Sequence, residues 1–485
     1  MKEMKKIIIL LCLFTAIIVN TSCEDQLNAL PTQSKVDDNL IVDQKSAEVA
    51  LNGVYYTYAM CGNDYYDVPS TMCFLEYELY PAMLSGLVGY YQGGTLQSHT
   101  VTAEDYYTSN LWSGYYKTLA AANGLIDQIR NKPDEWFSGS RKAEITGEAS
   151  FIRALTHYNL MRHFAHYFDI DSPYGVLLRT EALKTSNISK SRSSVKESYD
   201  TILEDIETAI ENCPTTSNNF YVNKWVAKGL KVRVLMMRGA TGDYAEAASI
   251  AQDIIQYGPY TLENSLKTLF REKGLVSSEV MFAIKPKPDQ NYKWSTYYYS
   301  NRVEYLATTT LKNLLENDPR VEWMIGTDGG DGSTLEDVMG SDRVGITKYG
   351  QLGSSNANWE INYQMRLSEI YLLRAEALVR SGGNKTEAKN LLKTIMGKAG
   401  ITDFSAVDAA VTDEAILTQI FFEMEKNLVC ECGQELDIQL RMPVAAVQTV
   451  NPAIGAKNYM ILPIPADEFR KNPAIGEQNP GYTKE

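Results

Sequence analysis

The 485 residues contain no apolar run of the ~20 residues that a membrane-spanning helix requires. They also lack a basic surplus: Lys and Arg number 46 against 60 Asp and Glu, for a net charge of −14. Such a chain repels phosphate backbones, which argues against nucleic acid as a partner and against polybasic docking on a membrane. Histidine is scarce, with four residues. His163 and His166 stand three apart ahead of Asp169 and Asp171, a spacing that suits a metal but that a capped helix end explains as well. No H-E-x-x-H pattern accompanies them, and no metal site is expected. Seven cysteines without regular spacing argue against a disulfide framework. Cys61 and Cys73 stay open as a pair across a loop. Cys430-Glu431-Cys432 is C-x-C rather than C-x-x-C, which speaks against thioredoxin-type redox chemistry and for buried thiols acting as small hydrophobes. A G-x-S-x-G elbow, a P-loop and a dinucleotide fingerprint are all missing, so no cofactor is expected. Asp328-Gly329-Gly330-Asp331-Gly332 lacks the acidic ladder of a calcium loop. Glycosidase chemistry needs two carboxylates at a defined separation, and sixty acidic residues nominate no pair.

What is present begins at the N-terminus. Lysines at 2, 5 and 6 precede thirteen residues from Ile7 to Val19 that are apolar but for Thr15, and Asn20-Thr21-Ser22-Cys23 follows. That is the build of an export signal, too short to span a bilayer. Its ending on small residues and Cys23 resembles a bacterial lipobox, which implies a mature chain starting at an acylated Cys23. Losing Lys2, Lys5, Lys6 and Glu3 takes the net charge from −14 to −16. The lipid must therefore do the anchoring, and stable attachment takes about two acyl chains. Glu24 and Asp25 follow directly, as in the surface-export signal of Bacteroidetes lipoproteins. The chain divides into a leader at 1–22, a lipidated cysteine with a polar tether at 23–43, and one body at 44–485.

Helical periodicity dominates that body. Ser46 to Tyr58, Leu111 to Arg130, Gly147 to His166 and Tyr199 to Glu211 read as helices, the last ending before Pro214. An internal repeat joins them. Val226 to Ile255 and Leu367 to Met396 each read helix, Gly-containing turn, helix, and their second helices superpose at an offset of 141 residues: Glu246-Ala247 on Glu387-Ala388, Ile250 on Leu391, Ala251 on Leu392, Ile254 on Ile395. Small residues between helices permit close approach, as in tetratricopeptide-like pairs. The expected fold is mostly α, a scaffold of such pairs at 44–58, 111–257 and 365–430. Two copies so far apart are expected to be pairs separated by long excursions, not a continuous solenoid. The excursions at 59–110, 262–364 and 440–485 are loop-rich and contain strand-like runs at Glu279 to Ile284 and Val344 to Tyr349. Such insertions normally carry function.

Four segments carry a family resemblance. The tail reads Tyr459-Met460-Ile461-Leu462-Pro463-Ile464-Pro465, then Glu468, Asn472-Pro473 and Gln478-Asn479-Pro480-Gly481-Tyr482. Gly147-Glu148-Ala149-Ser150-Phe151-Ile152-Arg153-Ala154, Arg366-Leu367-Ser368-Glu369-Ile370-Tyr371-Leu372-Leu373-Arg374-Ala375-Glu376-Ala377, and Trp112 with Tyr115 and Asn123 are the others. Together they resemble the SusD/RagB family of Bacteroidetes outer-membrane lipoproteins from end to end. One corner departs from the family pattern: Phe422-Glu423-Met424-Glu425-Lys426-Asn427 loses an expected arginine, while Asp437 and Arg441 are expected to keep a local ion pair. The resemblance implies a nutrient-binding protein at the outer face of the outer membrane. Its implied partner is a SusC-like TonB-dependent transporter, which it covers as a lid, and its implied ligand an oligosaccharide. RagB-like members take peptides instead, and a surface glycoside hydrolase is the third reading. No catalysis is implied.

Sugar rings have apolar C–H faces ringed by hydroxyls, so a capture site calls for aromatic platforms with polar side chains at the rim. With 31 tyrosines in the chain, position must discriminate. The first candidate cluster is Trp294, Tyr297, Tyr298, Tyr299, Asn301 and Arg302. The second is Tyr77, Tyr80, Tyr90 and Tyr91 with Gln92, around Gly86, Gly89, Gly93 and Gly94. Trp359, beside Asn356 and Asn358, is the third, whereas Trp112 and Trp225 fall on helical patterns and read as core.

Overall fold

In the computed structural model the described residues are 40–61, 78–285, 305–326, 344–349 and 361–485. Ten α-helices of eight residues or more lie among them. These are α1 (Gln44–Ala59), α2 (Tyr106–Arg130), α3 (Arg141–Phe164), α4 (Val195–Asn212), α5 (Lys224–Arg238), α6 (Asp243–Tyr257), α7 (Leu367–Arg380), α8 (Lys385–Lys398), α9 (Asp413–Leu428) and α10 (Gln434–Arg441). Sequence periodicity finds the core of each early helix but starts several of them late. The missing turns begin at local caps. Asp43 accepts from the Ser46 amide at 2.7 Å while the Asp43 amide donates to the Ser46 hydroxyl at 3.0 Å, a reciprocal box that starts α1 at Gln44. Ser194 and Glu197 do the same for α4. That helix ends at Asn212, two residues ahead of Pro214, because a residue before proline is pushed out of the helical region.

The two repeat units are helical pairs, and their matched positions point inward: Ala247, Ala251 and Ile254 on α6, and Ala388, Leu392 and Ile395 on α8, are all buried. The pairs are not held apart by the excursion between them. Arg374 of α7 donates to the Ala248 carbonyl of α6, and Arg233 of α5 pairs with Glu369 of α7. A Cβ built on Gly229 of α5 would lie 2.3 Å from the Met365 sulfur, so that position admits the neighbouring chain only because it has no side chain. The scaffold is thus one continuous stack, although residues 262–364 separate its two halves in sequence.

Among the described residues six short strands decorate the stack: β1 (Val88–Tyr90), β2 (Val280–Ile284), β3 (Tyr305–Ala307), β4 (Ile325–Gly326), β5 (Gly345–Ile346) and β6 (Asn362–Arg366). They form an antiparallel four-stranded sheet in the order β1-β3-β5-β4 and an antiparallel pair β2-β6. β6 runs straight into α7, with Val280 opposite Arg366 and Ile284 opposite Asn362. Every residue of both strands of this pair is buried.

The tail is a clamp on α3. The Leu462 amide donates to the His163 carbonyl at 2.6 Å. Asn479 gives its amide to the carbonyls of Phe164 and Leu462, both at 3.0 Å, and Gln478 bonds both backbone groups of Ile464, at 2.8 and 2.9 Å. Tyr482 closes on the Ile461 carbonyl at 2.7 Å. The Gln-Asn-Pro-Gly-Tyr ending therefore supplies the partners that the buried Leu-Pro-Ile-Pro segment, poor in donors, cannot supply itself. Glu468 accepts from the Trp112 indole at 3.0 Å, tying the tail to α2 as well.

Candidate functional site

The four-stranded sheet joins two of the insertions. β1 belongs to residues 59–110 and β3 to residues 262–364, yet they pair with Val88 opposite Ala307, Gly89 opposite Leu306 and Tyr90 opposite Tyr305. Side chains directly opposite on an antiparallel pair share a face. The Tyr90 and Tyr305 rings lie 5.4 Å apart, and Tyr91 meets Tyr90 edge-on at 4.9 Å. Gly93, at φ 75°, lets the chain turn back after Tyr91, with its amide on the Tyr90 carbonyl at 2.9 Å. Gly89 leaves room for Gln97: a Cβ there would stand 3.2 Å from the Gln97 amide nitrogen, and Gln97 accepts from the Tyr90 amide at 3.1 Å. Tyr90 and Tyr91 are half-buried, Tyr305 is buried, and Gln92, Gly93 and Gln97 are exposed. The result is an aromatic edge with an amide-bearing rim.

Of the residues nominated from sequence, Tyr90 and Tyr91 form this edge. Tyr80 does not present its ring to solvent: it is 4% exposed on a short helix and packs edge-on against Tyr107 at 5.0 Å. Cys23, Tyr77, Trp294, Tyr297, Tyr298, Tyr299, Asn301, Arg302 and Trp359 lie outside the described residues, as do Cys73 and Asp328 to Gly332. Tyr305 was not nominated. Its signal was a tyrosine opening the run Tyr305-Leu306-Ala307 just after the first cluster, and only the pairing with Tyr90 gives it weight.

A buried charge network fastens this sheet to the scaffold. After β5, Lys348 reaches the carbonyls of Asn427 at 3.1 Å and Val429 at 2.8 Å, and the Glu431 carboxylate. Arg366, at the end of β6, binds both oxygens of Glu431, Glu279 at 2.8 Å and the Asn427 side chain at 2.7 Å. Burial pushes the Glu431 carboxyl up, but Arg366 and Lys348 outweigh it and hold it below the usual range. Burial likewise drives the Lys348 ammonium down, against the pull of Glu431. Tyr349 donates to the Cys430 carbonyl at 2.5 Å. Cys430 and Cys432 both sit at positive φ, 60° and 50°, and this bent turn aims its carbonyls at those cations and donors. The Cys432 thiol is buried, and burial raises its pKa, so it is held protonated and unreactive.

The corner that departs from the family pattern is wired differently from the expected Asp437–Arg441 pair. Asp437 binds Arg162 of α3 at 2.9 Å and accepts from Tyr167 at 2.8 Å and Tyr158 at 3.2 Å. Arg441 instead binds Glu376 of α7 at 3.0 Å. Each long side chain reaches to the helix facing it, because in a buried layer a cross-helix partner also satisfies the desolvated group opposite. His163 turns Nδ1 to the Asn159 carbonyl at 2.8 Å, inside its own helix.

Residues 31–236 match a family described as starch-binding and associating with the outer membrane, and residues 287–439 match the SusD family. The chain belongs to the SusD/RagB family. A SusD-like protein of Bacteroides ovatus is 24% identical over 196 residues, a match that spans 39% of this chain and 34% of that relative. A SusD homologue of Bacteroides thetaiotaomicron superposes with a TM-score of 0.75 at 18% identity, over 93% of this chain and 99% of the other. A second B. thetaiotaomicron structure, of a SusD superfamily protein, gives 0.71 at 22% over 90% and 100%. A laminarin-binding SusD-like protein gives 0.69 at 21% over 91% and 100%. At these identities the structural likeness is one of fold. The helical architecture is that of the SusD superfamily structures. Among the described residues no helix is long and apolar enough to cross a membrane.

Proposed function

We propose that this chain is a cell-surface lipoprotein that captures an oligosaccharide and covers a SusC-like TonB-dependent transporter. It acts by binding, without catalysis. The observation that carries the reading is the pairing of β1 with β3, which sets Tyr90, Tyr91 and Tyr305 together on one edge. Aromatic rings offer a sugar's C–H face a large contact at low entropic cost, and the adjoining amides suit its hydroxyls. The family description as starch-binding and the laminarin-binding fold neighbour support a glycan over other nutrients. Cys23 supplies the anchor, and residues 24–43 supply a tether that keeps a weak binder at high local concentration beside its transporter.

Calorimetry against a panel of oligosaccharides and peptides tests the reading. At least one glucan or related oligosaccharide should bind, and Tyr90→Ala and Trp294→Ala should each weaken it by about tenfold without unfolding the chain, the loss of one aromatic contact. Silence across the glycans, or binding of peptides alone, refutes the glycan assignment.

A further inference from the structure

A second concavity lies apart from the tyrosine edge. It is a pocket of about 230 Å³ between the C-terminal half of α1, the turn at Phe220 and Tyr221, and the end of β2. Its size falls below the about 300–1,000 Å³ of pockets for drug-sized ligands, which suits one sugar ring rather than a chain. Aromatic rings make up much of its wall: Tyr55 meets Tyr221 edge-on at 5.2 Å, and Phe220 meets Tyr221 at 4.9 Å. Hydrogen bonds hold these rings in place. Tyr221 donates to Asn52 Oδ1 at 2.9 Å, while Tyr55 donates to Glu148 at 2.7 Å and accepts from the Val222 amide at 3.0 Å. Tyr56, on the same wall, is 51% exposed.

Charge sets this pocket off from the rest of the molecule. The chain carries 60 acidic against 46 basic residues, yet among the described residues no carboxylate lines the pocket, and Lys285 is the charged side chain that does. Its ammonium lies 4.8 Å from the centre of the Phe220 ring. Among the described residues no Asp or Glu pairs with it, whereas the nearby Lys228 and Lys231 of α5 are both paired with carboxylates. Asn52, with its oxygen engaged by Tyr221, keeps its amide hydrogens for a further acceptor.

We infer that this pocket is a second saccharide site, selective for a sugar unit bearing a carboxylate, such as a uronic acid. The ring's C–H face packs on Tyr56, Phe220 and Tyr221, the carboxylate takes a charge-assisted bond from Lys285, and a hydroxyl accepts from Asn52. For its ligand class the inference rests on the glycan reading above, but it concerns different residues. A neutral sugar leaves Lys285 without a counter-charge, so the pocket discriminates by charge where the tyrosine edge does not.

The test uses the full mature chain with glucuronate and galacturonate as probes and methyl glucoside as the neutral control, read by saturation-transfer NMR and titration. Uronates should bind, and binding should weaken with added salt. Lys285→Gln should weaken them by at least about tenfold, since a bond to a charged group is lost. Lys285→Arg should retain most of the affinity, and Tyr90→Ala should leave it unchanged. Uronates binding no better than methyl glucoside, or binding Lys285→Gln as well as the parent, would overturn the inference. Neutral oligosaccharides that bind and depend on Tyr90, with no transfer to uronates, would overturn this pocket alone. Uronate binding that depends on Lys285, with no neutral glycan bound anywhere, would uphold the pocket and strike the tyrosine edge.

Discussion

Arg366→Ala should be among the most damaging single changes to this protein. The side chain is 1% exposed and serves as the hub between β6, β2 and the turn after α9. It donates to both oxygens of Glu431, to Glu279 at 2.8 Å, to Ser368 at 2.5 Å and to the Asn427 side chain at 2.7 Å. Truncation leaves Glu431 to Lys348 alone, and leaves Glu279 with the Glu263 amide at 2.9 Å. Removing one partner of a buried ion pair costs about 3–5 kcal/mol, because the remaining charge stays desolvated. Against a total of about 5–15 kcal/mol for a typical protein, that is about a fifth or more of the stability. Urea unfolding followed by circular dichroism measures the loss. Hydrogen exchange should show it first in β2 and β6, and with it a looser attachment of the sheet that carries Tyr90 and Tyr305. A double-mutant cycle with Glu431→Gln isolates the pair: the double variant should be less destabilised than the sum of the singles. An Arg366→Ala variant that loses under about 1 kcal/mol, or strict additivity with Glu431→Gln, would show that the network is ornamental and the reasoning wrong.

Three further outcomes are expected. Gly147→Ala should destabilise the α3–α4 crossing by about 1–3 kcal/mol, as overpacking does. Its Cβ would stand 2.8 Å from the Cys213 amide nitrogen and 2.9 Å from the Asn212 Cβ; an unchanged urea midpoint would contradict it. Burial pushes the Glu435 carboxyl up from 4.5 to about 8. The folded state therefore holds a proton that the unfolded state gives up, and this group's contribution falls as pH rises from about 4.5 to about 8, by at most ~1.4 kcal/mol per unit. Glu435→Gln should flatten the parent's stability profile across that window, and parallel profiles would refute the assignment. Cys23→Ala should move the protein from the membrane fraction to the soluble one while leaving glycan affinity in solution intact; retention in the membrane would sink the lipid-anchor reading.

The helices were legible because their information is local. Apolar spacing and Pro214 act within a few residues of where they stand, whereas the first turns, set by the Asp43 and Ser194 caps, lie outside the apolar periodicity; the inward positions of α6 and α8 follow from the 141-residue repeat. The tail motif was legible as a likeness but not as a mechanism. Only the fold shows that Gln478 and Asn479 are there to satisfy the backbone of Leu462 and Ile464 and the end of α3.

Sequence by itself determined the helical class, the helical repeat and the presence of two tyrosine-rich insertions. The tertiary structure decided which of those residues meet. β1 and β3 are three residues each and β5 is two, too short for any period to announce a strand. Their pairing joins Tyr90 to a residue more than two hundred positions away, as the stacking of α6 on α7 joins Ala248 to Arg374. It also decided that Tyr80 is core while Tyr90 is edge, and that Asp437 takes Arg162 rather than Arg441. Burial and partner choice depend on what the rest of the chain places opposite each side chain, and one-dimensional spacing carries no record of that.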